Sequence, residues 1–552
     1  MPNIFEISTE YIDELVSLQP MAATYLGIRG YNDQWNDFSP AGIEATRAFC
    51  ARYLARISAL GRSQERWELH GRRVLRQDIE QSLAKIDGGE PYRDINNIFS
   101  PVQNLRDVFD MMPQATDADW LDVVARLNTL EAPIQGYIET LNVGRGRGLV
   151  SARRQVEACI DQCATHVGLD SYFNTLVNTA RECGSTPETV ALLAEAAEAA
   201  KASYANLGTY LQDEYLPDAG EADGVGPDRY KTASYSFLLT HLDFEETYRW
   251  GWDEVISLRI RMVEVAKRID PDLSFEEVVE LLETDARFLA QSPEEFLEIM
   301  KATQAEALEK LSGTHFDVPS EIEHVDVKLA PPGGALGAYY TSPSEDFSRA
   351  GCVWYSQPGK TVFPLSDEIS TAYHEGFPGH HLQVGMQVCL GESLTRAHRL
   401  AIWYSGYGEG WALYAEQFMF EEGFMDAPHH EFGMLMGQIM RACRVVIDIG
   451  MHLGFGIPQD APVHPGEAWT FETAVELAET YALLAPEYAV SEVTRYLGWP
   501  GQAISYKIGQ KAILDIREEA RDRDWFTLKE FHARIVGSGP VGLDYLREIV
   551  LG

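Results

Sequence analysis

The chain has 552 residues, a formal net charge of −39 and 45% hydrophobic residues. That length exceeds one ordinary domain of about 100–200 residues, and the apolar content excludes wholesale disorder. The negative charge excludes a phosphate-binding basic face, and with it nucleic acid, and it disfavours docking on anionic lipid; we read it as a soluble acidic surface.

Cys50, Cys159, Cys163, Cys183, Cys352, Cys389 and Cys443 are odd in number and sparse. Cys159 and Cys163 stand one helical turn apart with no second pair of thiols nearby, so neither a disulfide framework nor a cysteine zinc knuckle is predicted. Met1-Pro2-Asn3-Ile4-Phe5-Glu6 has no basic n-region and no apolar h-region, and no run of about 18 apolar residues follows. The expectation is a cytoplasmic protein away from membranes.

In chain order, most of the sequence reads as helix. Residues 118–142 place leucine and isoleucine at helical spacing, and Gly144-Arg-Gly-Arg-Gly148 ends that run. Residues 187–215 start at Thr186-Pro187-Glu188 with an alanine-rich periodicity. The segment from Leu216 to Pro227 is acidic and rich in glycine and proline; it reads as an exposed loop or a domain boundary, and the loop is favoured. Residues 244–268, 275–289 and 293–312 are further helices, the last two opening on Ser274-Phe-Glu-Glu277 and Ser292-Pro-Glu-Glu295, both read as capping boxes. Then the pattern changes. His324-Val-Asp-Val-Lys-Leu329 alternates as a strand, Pro331-Pro-Gly-Gly334 reads as a turn, and Leu336–Tyr340 and Cys352–Tyr355 read as more strands. A strand edge there would hold an extended peptide by its main chain. A second loop runs from Gly454 to Pro465.

The richest chemistry is His374-Glu375-Gly376-Phe377-Pro378-Gly379-His380-His381. Zincin peptidases place two histidine ligands at i and i+4 of one helix, with a glutamate after the first as general base. Here i+4 is Pro378, which cannot ligate. On a straight helix rising ~1.5 Å per residue, His380 and His381 lie about 9 and 10.5 Å along the axis from His374. Two nitrogens on one zinc, at ~2.0–2.1 Å each, are at most about 4 Å apart. Proline removes a donor and clashes with the turn before it, and glycine accepts unusual dihedrals. The spacing therefore predicts a break at Pro378-Gly379 that folds His380 back toward His374, with His381 as the alternate. A third ligand follows in Ser405-Gly-Tyr-Gly-Glu409-Gly-Trp-Ala-Leu-Tyr-Ala-Glu416. Carboxylates in so apolar a helix need partners. Glu409 is chosen, with Glu416 as the alternate ligand, an outer carboxylate or the partner of an arginine.

These segments resemble the DUF885 family of bacterial proteins. Its hallmark His-Glu-x-x-Pro-Gly-His-His-x-Gln is similar to His374–Gln383, and its Glu-Gly-Trp-Ala-Leu-Tyr-x-Glu to Glu409–Glu416. Asp448–His452, Ser491–Tyr496, Pro500–Gln502, Ser505–Gly509, Ala23–Gly27 and Tyr31–Asp33 resemble further parts of it, so the likeness spans nearly the whole chain. In the family the position of His381 also takes tyrosine, which favours His380 as ligand. The resemblance implies kinship with helical zinc peptidases of the oligopeptidase and carboxypeptidase kind: a mainly α, two-lobed body around a deep channel, with a small β-sheet beside the active-site helix. The whole chain is then a single catalytic unit, residues 1–315 being the mostly helical portion over the channel and 316–552 carrying the sheet and metal site. Many relatives resemble exported lipoproteins, whereas this sequence shows no such signal.

The expected function is hydrolysis of amide bonds in short peptides, with one Zn²⁺ held by His374, His380 and Glu409 and with Glu375 as general base. Tyr496, Tyr506 and His452 are candidate oxyanion donors. Arg495, Arg441 and Lys507 are candidates for a substrate carboxylate, which would make the action carboxypeptidase-like, and Tyr340 on the sheet is a further substrate contact. Asp448 is a candidate to orient a histidine ligand. His398, His429, His430 and His464 are read as surface residues. The competing readings are a zinc hydrolase of a non-peptide amide and a helical binding protein without catalysis; the presence of Glu375 disfavours the latter.

Overall fold

The computed structural model describes residues 3–330, 337–356 and 362–552, so the turn expected at Pro331–Gly334, and Leu336, lie outside the described residues. The chain is mainly helical with two small sheets. It divides into two compact units, one comprising Met1–Val225, Thr395–Ile402 and Leu497–Trp499, the other Gly226–Leu394, Trp403–Tyr496 and Pro500–Gly552. The division passes through the Leu216–Pro227 segment, at Val225/Gly226, and not at residue 315.

In the first unit the Pro187–Tyr210 helix packs against Asp117–Asn128, Arg153–Val167 and Tyr172–Glu182. Its small inward residues Ala196, Ala197 and Ala200 let Trp120 and Phe173 close on Tyr204 in one apolar cluster. The expected helix over 118–142 is two helices, Asp117–Asn128 and Glu131–Gly146. Pro133 explains the break, because a proline ring clashes with the carbonyl four residues earlier, here that of Thr129. The buried guanidinium of Arg126 donates to Thr24 Oγ1 at 3.0 Å, to the Tyr31 carbonyl at 2.9 Å and to the Gln34 carbonyl at 2.8 Å. It thereby ties down the N-terminal segment singled out in the sequence.

The second unit is built on two long helix pairs. Phe244–Ile269 runs against Pro428–Leu453, and Ser405–Glu421 against Ser505–Ala520. In the second pair Gly410 meets Gly509 backbone to backbone: a Cβ on Gly410 would lie 2.5 Å from Gly509 Cα. Only glycines allow that approach, and it fixes the helix carrying Glu409 and Glu416. The three expected strands form one sheet. Asp326–Leu329 pairs parallel with Cys352–Ser356, which pairs antiparallel with Gly337–Thr341, leaving the last on an edge. A two-residue pairing of Leu289–Ala290 with Phe363–Pro364 is new, being too short for any periodicity to reveal. It also ends the expected 275–289 helix early, at Thr284, where Asp285 caps the next turn through Arg287 N–H at 2.9 Å.

Ser274 and Glu277 form the expected capping box, whereas Glu295 reaches past Ser292 to accept from Gln291 N–H at 2.7 Å. All seven cysteines are free thiols. Among the described residues no helix is long and apolar enough to cross a membrane.

Candidate metal centre

The predicted break is present. One helix spans Glu368–Glu375 and the next His380–Cys389, with Gly376–Gly379 between them and a cis peptide at Phe377–Pro378. Gly379 is what lets the chain double back. A Cβ there would lie 2.0 Å from the His374 carbonyl oxygen and 2.3 Å from that of Tyr373. Two side chains from other helices fasten the connection. Gln304 Nε2 donates to the Ala372 carbonyl at 2.6 Å, while its Oε1 accepts from Phe377 N–H at 2.7 Å. Trp411 Nε1 donates to the Pro378 carbonyl at 2.9 Å.

The result brings His374 and His380 together, their rings perpendicular with centroids 5.0 Å apart. Both aim Nε2 at one oxygen of Glu409, at 3.4 Å from His374 and 3.5 Å from His380. One ligand atom from each of these residues lies within 4.8 Å of the others. These separations are long for a hydrogen bond but match neighbouring donors around one tetrahedral ion, which sit roughly 3.3–3.4 Å apart when each bond is ~2.0–2.1 Å. Two imidazoles and a carboxylate therefore fit a divalent cation. Glu409 and Glu416, seven residues apart, fall on one face of their helix and bracket the His374 ring. Glu416 Oε1 is 2.7 Å from His374 Nδ1, and its other oxygen accepts from Ser370 Oγ at 2.5 Å. Glu416 is thus the outer carboxylate, and the alternate in which it ligates is not the arrangement found.

Charge in this pocket is tightly coupled. Burial pushes the His374 pKa down, but the facing carboxylates of Glu409 and Glu416 outweigh it and hold it at about 10. Burial pushes both carboxyls up, yet the histidines beside them hold them below the usual carboxylate range. Protons take up the role that a cation would fill. Glu375, next to His374, has no hydrogen-bond partner among the described residues, and burial raises its pKa against the pull of His374 and His380.

The remaining candidates separate. His381 is fully buried, with Nε2 2.9 Å from the Ile322 carbonyl and Nδ1 3.0 Å from Tyr340 Oη. The carbonyl requires a proton on Nε2, so Tyr340 donates to Nδ1. His381 is therefore no ligand, and Tyr340 pins the edge strand to the second helix instead of facing a substrate. Tyr496 is buried, its hydroxyl donating to Glu492 at 2.8 Å and accepting from Arg444 at 3.1 Å. His452 faces the Tyr496 carbonyl at 3.0 Å and stacks on Tyr230, and burial lowers its pKa to about 4, leaving it neutral. Neither is placed to serve an oxyanion. Tyr506 is half-buried, and its hydroxyl makes no hydrogen bond among the described residues.

Lys507 spends its donors on Gln438 at 2.7 Å, Glu254 at 2.9 Å and Gln510 at 3.0 Å. Arg495 is engaged by Glu492 at 3.1 Å and Gln502 at 2.8 Å. Arg441 donates to the Gly437 carbonyl at 3.2 Å and forms no ion pair among the described residues. Asp448 accepts from Tyr230 Oη at 2.5 Å and Gly501 N–H at 3.0 Å, far from the orienting role that Glu416 fills. His398, read as a surface residue, is fully buried against His70. Sequence reasoning missed Ser370 and Gln304. Ser370 stands one turn before His374 on the same face, a spacing that could have revealed it; Gln304, 70 residues upstream, left no local signal.

The fold and site define a mainly helical protein with a largely buried His₂Glu cluster beside Glu375, whose carboxyl has no hydrogen-bond partner among the described residues. The chain belongs to the family described as bacterial proteins of unknown function, DUF885, whose model matches residues 20–550. No curated protein matches it. Among solved structures it is similar to one from Colwellia psychrerythraea, with 24% identity, a TM-score of 0.85 and coverage of 99% of this chain and 98% of the other. It is also similar to one from Shewanella oneidensis, with 17% identity, a TM-score of 0.75 and full coverage of both chains. At these identities the likeness establishes the fold. Each of the two is described as a "putative lipoprotein", and those descriptions overturn the expectation of a cytoplasmic location.

Proposed function

We propose that the protein is a zinc-dependent hydrolase of amide bonds in short peptides. The observation that carries this reading is the convergence of His374 and His380 Nε2 on Glu409, at 3.4 and 3.5 Å, beside Glu375, whose carboxyl has no hydrogen-bond partner among the described residues. The donor set of two imidazoles and one carboxylate suits zinc. When bound, zinc supplies a Lewis acid that polarises a carbonyl and acidifies water.

The chain's own residues do the rest. Glu375 takes a proton from water and passes it to the departing amine nitrogen, a task suited to a carboxyl whose pKa is raised toward the working pH. Glu416 and Ser370 hold the His374 ring so that Nδ1 carries the proton and Nε2 presents its lone pair. Tyr506 is the hydroxyl left to donate to the developing oxyanion. The Gly337–Thr341 edge, tied by Tyr340 to the helix after the break, offers main-chain hydrogen bonds to an extended peptide. In the same proposal the fold is of the zincin-like kind, two lobes around a deep channel, which would admit short peptides and exclude folded proteins.

The test is metal analysis of protein purified without chelator, followed by digestion of a peptide library by the wild type and Glu375→Gln. About one zinc per chain and cleavage lost only in the variant are expected. A well-folded sample without zinc, or activity that survives the substitution, would sink the proposal.

A further inference from the structure

The arginines near the cluster say what the substrate must carry; the inference rests on the hydrolase reading above. Arg441 and Arg444 lie on the Pro428–Leu453 helix, and Arg495 on Pro486–Gly498. Two of them, Arg444 and Arg495, engage one buried carboxylate, Glu492. Glu492 Oε2 accepts from Arg444 at 2.6 Å and from Tyr496 at 2.8 Å, and Oε1 from Arg495 at 3.1 Å, so these partners saturate that carboxylate.

Arg441 is the one with no carboxylate in ion-pair range among the described residues. Its sole hydrogen bond among the described residues runs from Nη1 to its own helix, at the Gly437 carbonyl, 3.2 Å away. Its Nε is buried with no acceptor, and it forms no ion pair with a described carboxylate. Its guanidinium lies 5.8 Å from the Tyr506 ring centroid, with Arg444 4.8 Å from the same ring. A Cβ built on Gly437 would lie 3.0 Å from Arg441 Nη1 and 3.6 Å from Glu416 Oε2, which places the guanidinium beside the outer carboxylate of the metal cluster. Arg441 is half-buried, so its fork can be reached, and a carboxylate meets such a fork bidentately.

We propose that Arg441 holds a substrate carboxylate, namely the free C-terminus of the peptide, so that cleavage runs from that end. Short peptides carry this group at one fixed distance from their last amide bond. A single anchored carboxylate therefore sets the register of cleavage without reading side chains.

The test measures binding to the zinc-loaded Glu375→Gln protein, with and without Arg441→Ala or Arg441→Lys. The probes are acetyl-Ala-Ala-Leu as the free acid, the same peptide as its amide, and acetyl-Ala-Ala-Asp amide. The free acid should bind about tenfold to a hundredfold tighter than its amide. Arg441→Ala should erase that preference and Arg441→Lys keep part of it. No preference for the acid, whether both peptides bind or neither does, overturns the proposal, and so does a preference that survives Arg441→Ala. Equal binding of the aspartyl amide keeps a carboxylate subsite but overturns its assignment to the C-terminus. Wild-type cleavage separates the two readings. If acid and amide are cut alike, the hydrolase stands and the anchor falls. If the acid is held through Arg441 but no peptide is cut, the anchor stands and the hydrolase falls.

Discussion

Nδ1 of His374 and Oε1 of Glu416 lie 2.7 Å apart, and Ser370 holds the other oxygen of that carboxylate at 2.5 Å. A buried carboxylate behind a ligating imidazole fixes its tautomer and raises its basicity. Glu416→Gln should therefore weaken zinc binding by about 10–100-fold while leaving the three ligands in place. Competition with a chromogenic chelator measures this; an unchanged affinity would show that Glu416 only packs.

Glu375 is the residue whose loss should separate binding from chemistry. Glu375→Gln should keep the metal and lower turnover by about 10²–10⁴-fold. The base acts deprotonated, and burial raises its pKa, so wild-type kcat/KM should fall on acidification at a pH above the usual glutamate range of about 4.3. An acidic limb at or below that range would contradict the assignment.

Metal uptake should release protons. Without metal, His374 holds a proton up to a pKa of about 10, well above the ordinary 6.5. Below pH 6.5 the neighbouring carboxylates stabilise the fold through that proton, and this contribution disappears as pH rises through about 10. At pH 8 zinc must displace the proton, and calorimetry in buffers of different ionisation enthalpy should count about one released per zinc bound. No release would mean that His374 is neutral before the metal arrives.

Gln304→Ala tests the clamp on the helix break. It strands the Phe377 N–H, while the Ala372 carbonyl keeps Gly376 N–H at 2.9 Å. The loss should be about 1–3 kcal/mol. A lower midpoint in urea at unchanged slope, with reduced zinc affinity, is the expected result.

Asp448 offers a pH signature away from the metal. Burial raises its pKa to about 7, although Tyr230 and Gly501 N–H pull it down. The folded state thus binds a proton that the unfolded chain gives up near pH 3.8. The resulting stability is full below that pH and fades as pH approaches 7. Asp448→Asn should be more stable than the wild type at pH 8 and should lose that advantage near pH 4. Parallel stability curves for the two proteins would refute this.

Much of the site was legible without coordinates. Pro378 at the position of a second ligand forces a break, because proline cannot continue a helix and the geometry of one ion forbids histidines 9 Å apart. Most helices, the three strands and the folding back of His380 toward His374 follow from periodicity, turn chemistry and that steric argument, while the family resemblance favours His380 over His381. Local sequence could not say which carboxylate on the Ser405–Glu421 helix faces which nitrogen of His374, since both lie on one stripe.

The sequence by itself determined that this chain is mainly helical and that its chemistry gathers at His374–His381 and Glu409–Glu416, because those are properties of spacing along the backbone. Only the tertiary structure decided the partners. Tyr496, His452, Lys507 and Tyr340 have the chemistry of catalytic or binding groups, yet each meets a neighbour remote in sequence, whereas the side chains of Arg441 and Glu375 meet no other side chain by a hydrogen bond among the described residues. Whether a polar group is spent or free depends on what the fold brings within about 3 Å of it. A linear pattern does not carry that information.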